Sequence, residues 1–458
     1  MAPSRSSPRK RKAVNYSETG AQGNGDEDVK PSPRKVAALT KRRSAHDADA
    51  QSPKAESKTA KKPRTGKAEK DEQDAFVETG YQSPETKPAK RARKSQAGSK
   101  DDDAAATAER TAVESLKRAM YIGAHVSASG GVHNVVGNAL QIGANSFALF
   151  LKSQRKWTSP SMTPEARAGF VDGCRRHGYS AHEHALPHGS YLVNLAQADP
   201  DKARQAYESF VDDLQRCEQL GIRLYNFHPG STGGADRAEA IARIAAQLNR
   251  AHAATRTVVT VLENMAGGGN VVGARWEDLR DIIALVEDKR RVGVCIDTCH
   301  AFAAGHDLRT PEAFRKTIDS FNRIVGAEYL KAFHLNDSKA PFNSQRDVHA
   351  NIGTGFLGLR AFHSIMNHEA FQGMPMVLET PIDREGPDGK KAEDKSVWAD
   401  EIKLLESLIG MDADTDTFRE LEEELQARGA SERHKLQSQV DRRAEKDAKK
   451  GSRARAKN

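Results

Sequence analysis

Cysteine is scarce in this chain: Cys174, Cys217, Cys295 and Cys299 are the only four among 458 residues. That excludes a disulfide scaffold and fits a reducing compartment. Apolar runs are short, and none approaches the 18 residues that a membrane-spanning helix needs. No apolar segment of the kind that marks a secretory signal stands near the N-terminus. Aromatic residues make up 6% of the chain, and the first 110 residues hold only Tyr16, Phe76 and Tyr81. Such a segment cannot bury enough apolar surface to offset the entropy of ordering it. The signatures G-x-S-x-G, H-E-x-x-H and the P-loop are all missing.

What is present begins with charge. Lys and Arg number 71 against 63 Asp and Glu, a net +8. The first 110 residues contain 25 Lys/Arg and 17 Asp/Glu, which accounts for the whole excess. Three basic clusters punctuate them: Pro8 to Lys12, Lys61 to Arg64, and Lys87 to Lys94. Residues 1–117 are therefore expected to be a disordered basic tail, carrying nuclear-import signals and loose phosphate contacts. A mitochondrial presequence is the second option, since the first acid is Glu18. Residues 1–17 lack an apolar helical face, however, so the nucleus is the expected site and the mitochondrion a second one. At the other end, residues 411–458 are charged at nearly every other position. Phe418 to Gln437 is expected to be helical, without an obvious core face. The basic end from Arg442 onward is expected to be disordered.

Between the tails, over residues 118–410, the texture changes. Eight apolar, β-rich runs alternate with helix-period segments: Tyr121–Val126, Ser146–Leu151, Tyr179–Pro187, Leu224–Phe227, Thr257–Leu262, Val292–Ile296, Tyr329–Phe333 and Met374–Leu378. Alternation of this kind predicts parallel βα units. Eight of them between residues 120 and 381 match a (β/α)8 TIM barrel, which takes about 250 residues. A doubly wound open sheet is the alternative.

The strand ends carry the chemistry. His125 lies in the first run, and His188 and His228 follow the third and fourth. Glu263, then Asp297 and His300, then His334, then Glu379 follow the fifth to the eighth. In a barrel these ends converge on one mouth, where active sites lie. One histidine at a strand end is ordinarily a hydrogen-bonded core residue. Six consecutive strands each delivering an imidazole or carboxylate to one rim would be costly unless those groups are paired or bind metal. Asp347 and His349 stand at i and i+2, so on an extended segment both can grip one ion. Imidazole and carboxylate donors suit zinc or manganese in a catalytic site better than a closed thiolate site. Cys295 and Cys299 read as buried hydrophobes. Gly267-Gly268-Gly269 reads as a turn.

Several motifs, in order along the barrel, resemble the endonuclease IV-type apurinic/apyrimidinic endonucleases. They are Tyr121-Ile122-Gly123-Ala124-His125-Val126-Ser127, Asn226-Phe227-His228-Pro229-Gly230, Leu262-Glu263-Asn264, Val294 to Gly305, His334 to Lys339, and Leu378-Glu379-Thr380. The resemblance covers residues 120–409 and neither tail. It implies a three-zinc hydrolase, with manganese possible at one site. His188, His228 and Glu263 hold the first ion. Glu263 bridges to a second on Asp297, His334 and Glu379. His300, Asp347 and His349 hold the third. Val348 departs from the pattern, standing where bacterial relatives usually have Arg. The polar stretch from Asp383 to Lys395 is longer than theirs.

The implied reaction is hydrolysis of the phosphodiester 5′ to an abasic site in double-stranded DNA, giving a 3′-hydroxyl and a 5′-deoxyribose phosphate. Removal of 3′-phosphate and 3′-phosphoglycolate blocks is implied too, in base excision repair. Glu263 and Glu379 are the implied catalytic carboxylates. Gln154, Arg155, Tyr191 and Leu192 match residues that the family inserts into the gap left by the missing base. Read alone, Tyr191 and Leu192 are core-type residues at a helix start. Lys152 and Lys156 are expected to meet phosphates beside Arg155. The chain is expected to act as a monomer, away from membranes. Two rival readings are a metal-dependent sugar isomerase or epimerase on the same barrel, and a non-catalytic lesion-binding protein.

Overall fold

The computed structural model describes residues 106–386 and 389–455, with side chains as far as Lys446. The three basic clusters lie outside these residues. Strands β1 (Tyr121–His125), β2 (Ser146–Ala148), β3 (Leu224–Phe227), β4 (Val259–Glu263), β5 (Val292–Asp297) and β6 (Leu330–His334) come first. A two-residue ribbon, β7 (Asp337–Ser338) with β8 (His349–Ala350), and then β9 (Pro375–Leu378) follow. A hairpin of β10 (Asp383–Glu385) and β11 (Lys391–Glu393) comes last. Seven strands form one parallel sheet in the order β2-β1-β9-β6-β5-β4-β3. Helices such as Pro200–Leu220, Arg237–Ala254 and Pro311–Ile324 make the crossovers that parallel pairing requires.

The gap between β2 and β3 is closed by residues 185–189. Leu186 and His188 donate their N–H groups to the Phe147 and Leu149 carbonyls, and across the other side Gly189 N donates to Asn226 O while Asn226 N donates to Pro187 O. The barrel is thus complete, as the eightfold alternation predicts. The expected third strand, Tyr179–Pro187, is corrected: Ala181–His184 is a helical turn, and only the residues after it are extended. Ala-His-Glu-His has no β-branched residue, and Pro187 lacks the N–H a regular ladder needs.

Strand alternation builds two apolar layers. Ala148, Leu186, Leu224, Val259, Val261, Cys295, Ala332 and Val377 pack together inside the barrel. Phe147, Phe227, Leu262, Val294, Ile296 and Phe333 face the helices. The period of two then fixes the next inward residue on each strand. Two beyond Leu186 is His188, beyond Val261 is Glu263, and beyond Cys295 is Asp297. Two beyond Ala332 is His334, and beyond Val377 is Glu379. The mouth is lined by this register. All four cysteines are buried and free.

Residues on either side of 118–410 pack on the barrel. Residues 106–117 pack on the barrel: the Arg110 guanidinium donates to Asn145 Oδ1 at 2.7 Å and to the His177 carbonyl at 2.6 Å, and lies 4.0 Å over the Tyr179 ring. Thr111 donates to Glu406, and Val113 is buried. At the other end, a helix spans Asp416–Arg455 and does have a core face, because Phe418 and Leu425 are fully buried with Leu421 partly so. Their i, i+3, i+7 spacing is the helical apolar stripe. Among the described residues, no helix is long and apolar enough to cross a membrane.

Candidate metal centre

Nine side chains meet at the mouth. Glu263, wholly buried at the end of β4, is the hub. Its Oε2 lies 3.1 Å from His188 Nε2 and 3.6 Å from His228 Nε2. Its Oε1 lies 3.2 Å from His334 Nδ1 and 3.3 Å from His300 Nδ1. His334 Nδ1 also faces Glu379 Oε2 at 3.4 Å and Asp297 Oδ2 at 4.0 Å. To one side, Asp347 faces His300 Nε2 at 3.0 Å and His349 Nε2 at 3.1 Å. Three groups with converging donor atoms result: His188, Glu263 and His334; Glu263, Asp297, His334 and Glu379; and His300, Asp347 and His349. His228 joins Glu263 and His300 in a fourth, and Asp297, Cys299 and His349 make a fifth.

Backbone carbonyls fix the imidazole tautomers. His188 Nδ1–H donates to Gly189 O at 2.7 Å, His300 Nδ1–H to Asn264 O at 2.9 Å, and His349 Nδ1–H to Glu379 O at 3.2 Å. Each Nε2 is then left with its lone pair, aimed at carboxylate oxygens. Lone pair against lone pair at such distances is repulsive unless a cation or a proton lies between them. His300 Nε2 and His349 Nε2 are buried and make no hydrogen bond. This donor set fits divalent metal ions, and the outer carbonyls are the usual means of orienting such ligands.

Without an ion between them, the same groups share protons as imidazolium–carboxylate pairs. Burial pushes His334 and His349 down, but the carboxylates around them prevail and hold them up at about 9 and about 10. Burial opposes charge on Glu263 and Asp347 as well, yet the neighbouring imidazoles hold both well below the usual carboxylate range. The carboxylates stay ionised, and positive charge, whether of protons or of metal, is stabilised between them.

Four residues beyond the expected set belong to this centre. His125 Nδ1–H donates to Glu379 Oε1 at 3.0 Å. Asn226 Nδ2 donates to Glu263 Oε2. Asn336 Nδ2 donates to Asp297 Oδ2 at 2.6 Å, while its Oδ1 accepts from Glu379 N at 2.9 Å. Asn264 Oδ1 accepts from Asp297 N at 2.7 Å. Each stands within a family motif, two residues or fewer from a ligand or, for His125, at the end of β1.

The centre opens on a groove of about 2440 Å3, whose rim includes Gln154, Arg155 and Tyr191. Tyr191 is 43% and Leu192 38% exposed, too open for the core role their types suggest. The Tyr191 ring stands 5.4 Å from His188 and 5.6 Å from His228. Ser190 Oγ donates to Gln154 O at 2.9 Å, which ties the two loops together. Lys152 does not meet the groove as a free cation, contrary to expectation. Its buried ammonium donates to Ser209 O at 2.6 Å and to Asp212 Oδ2 at 3.0 Å, and lies 3.4 Å from Asp213. The polar stretch after β9 forms the β10–β11 hairpin, and Arg384 and Lys391 stand on the groove rim.

Fold and donor set together define a divalent-metal enzyme on a barrel of the xylose isomerase type. Residues 136–408 match the family described as xylose isomerase-like TIM barrel. Apurinic-apyrimidinic endonuclease 1 of Saccharomyces cerevisiae is 49% identical over 299 residues, 65% of this chain and 78% of that one. Probable endonuclease 4 of Campylobacter curvus is 49% identical over 289 residues, 63% of this chain and 98% of that one. The crystal structure of endonuclease IV from Thermus thermophilus is similar with a TM-score of 0.54 at 31% identity, covering 63% of this chain and 99% of that one. The chain belongs to the endonuclease IV-type apurinic/apyrimidinic endonucleases.

Proposed function

We propose that the chain is a DNA-repair hydrolase that cuts the phosphodiester 5′ to an abasic site in duplex DNA. It leaves a 3′-hydroxyl and a 5′-deoxyribose phosphate, and it also clears 3′-phosphate and 3′-phosphoglycolate ends. The observation that carries the reading is the sharing of Glu263 among four imidazoles, beside a groove with an exposed Tyr191 at its rim. Three zinc ions are assigned: one to His188, His228 and Glu263, one to Glu263, Asp297, His334 and Glu379, and one to His300, Asp347 and His349. When bound, they supply Lewis acidity and lower the pKa of an attacking water.

The two glutamates divide the work by exposure. Glu263 is sealed off and can only hold and bridge ligated positions. Glu379 has 14% of its side chain open to the groove, so it can orient a water and accept its proton. His125 donates to one Glu379 oxygen and so fixes the carboxylate plane. Tyr191 and Leu192 fill the space of the absent base, which costs less at a lesion that is already unstacked. Arg155 and Gln154 reach the strand from the adjoining loop. Nuclear import through the basic clusters, with the mitochondrion as a second site, and a monomeric state complete the proposal.

A sugar isomerase uses the same kind of barrel, but nine convergent donors and apolar residues exposed at the mouth favour the nuclease. The test is incubation of zinc-replete protein with a duplex bearing one abasic analogue, followed by identification of both new ends. A 3′-hydroxyl on the 5′ side of the lesion is expected. Binding without cleavage would make the chain a lesion-binding protein instead.

A further inference from the structure

The helix Asp416–Arg455 begins beyond residue 408, where the family match stops. It does not pack at random. Gln426 Nε2 donates to Gly353 O at 2.7 Å and to Gly355 O at 3.0 Å. The Arg433 guanidinium donates to Thr354 O, and to Gln426 O at 2.8 Å. Three successive carbonyls of one loop are thus taken by one helix. The approach is close enough that a Cβ on Gly429 would overlap Thr354 O, and a Cβ on Gly353 would come within 2.7 Å of Leu425. Further along, Glu432 pairs with Lys339 at 3.2 Å and Gln439 accepts from Arg346 at 3.2 Å.

That loop is the continuation of the segment holding Asp347 and His349. Its inner side is held by the Asp337 carboxylate, which accepts from Gly355 N at 2.9 Å, Leu357 N at 2.9 Å and Gly358 N at 3.2 Å. The helix holds the carbonyls on its outer side. Unlike His188, Glu263 or His334, Asp347 belongs to no strand of the barrel, and His349 only to the two-residue β8. Two of the three donors of the His300, Asp347 and His349 group therefore depend on how that loop is held.

We propose that helix 416–455 is a positioning element for this third metal group: it clamps the loop 347–358 against Asp337 and so sets how firmly that one ion is held. The proposal rests on the three-ion reading above. Gly429 is the informative position. Alanine is a far better helix former than glycine, so Gly429→Ala strengthens the helix while forcing it off the loop. Gln426→Glu keeps the shape but replaces both N–H donors by acceptors facing carbonyls. Glu423→Ala, on the exposed face, is the control.

The experiment uses full-length, zinc-loaded protein. Zinc release to a chelator is followed in equivalents per chain, and amide exchange of residues 347–358 is followed in parallel. In Gly429→Ala and Gln426→Glu, one equivalent of three is expected to leave at least about tenfold faster than in the parent, with the other two unchanged. Exchange at Gly355 and Leu357 is expected to rise, and Glu423→Ala should behave as the parent. Three equivalents in the parent with unaltered release in both variants overturn the helix proposal alone. Equal acceleration of all three equivalents also overturns it, because that marks general loosening. A parent chain that holds fewer than three overturns the three-ion reading and the helix proposal together.

Discussion

The first two metal groups and the third are built differently. The ligands around Glu263 are almost all strand ends, set two residues beyond a packed interior layer of Leu186, Val261, Cys295, Ala332 and Val377. Moving one of them means breaking a sheet register. Asp347 and His349 sit on a loop held by buried carboxylates and by a helix beyond the matched residues 136–408. Rigidity comes from the barrel register in the first case and from packing of the loop against Asp337, Glu401 and the helix in the second. Chemistry that tolerates no displacement therefore belongs at the strand ends, and tuning belongs on the loop.

The largest effect should come from the strand-end carboxylates. Glu263→Gln and Glu379→Gln are each expected to lower incision by several orders of magnitude while the fold survives, since both lie at the mouth and not in the interior layer. Steady-state incision with metal content measured alongside checks this. Near-normal turnover at unchanged metal content removes the residue from the mechanism.

Next comes recognition. Tyr191→Ala or Arg155→Ala is expected to reduce the preference for abasic over intact duplex by roughly tenfold or more, since base–aromatic stacking contributes about 1–3 kcal/mol. Metal content should not move. An unchanged ratio of the two affinities refutes the stacking role.

A smaller effect tests the loop's other anchor. Glu401 is buried under Thr380, and it accepts from Ile352 N at 2.7 Å and Asn351 Nδ2 at 3.2 Å. Burial pushes its carboxyl up to about 7. A carboxyl whose pKa is raised on folding contributes its stability fully below the unfolded value, and that stability is lost as pH rises to the folded one. Between about pH 4.5 and 7, wild type should lose about 1.4 kcal/mol per pH unit relative to Glu401→Gln. Denaturation curves of both proteins across that window check the slope. Parallel curves would show that Glu401 does not titrate on its own there.

The smallest catalytic effect is expected from deleting residues 1–105. Turnover at saturating DNA should match the full chain, while non-specific affinity falls and its salt dependence becomes shallower, because fewer counterions are released. Loss of catalysis would place essential residues in the tail. An unchanged cellular distribution after both basic ends are removed would refute the import role.

Much of the centre was legible because its ligands sit where two periodicities meet: apolar alternation inside each strand, then one His or acid at its end. The nine donors could be named from that and from the family motifs. Other features were hidden for physical reasons. Asn226, Asn264 and Asn336 act through amides, a residue type ordinary in any turn. Lys152 looks like a phosphate contact because a basic loop averages over its members, yet Asp212 and Asp213 lie far along the sequence and bury it. The clasp at 106–117 was obscured by the composition of the residues before it. The stripe of Phe418, Leu421 and Leu425 was obscured by charge on every side.

The shared carboxylate is tested most directly by zinc counted per chain in wild type and in Glu263→Gln, after exhaustive dialysis against metal-free buffer. Close to three in wild type is expected, with the variant losing the ions that Glu263 bridges and keeping the one on His300, Asp347 and His349. One ion or none in wild type, or three retained in the variant, would contradict it.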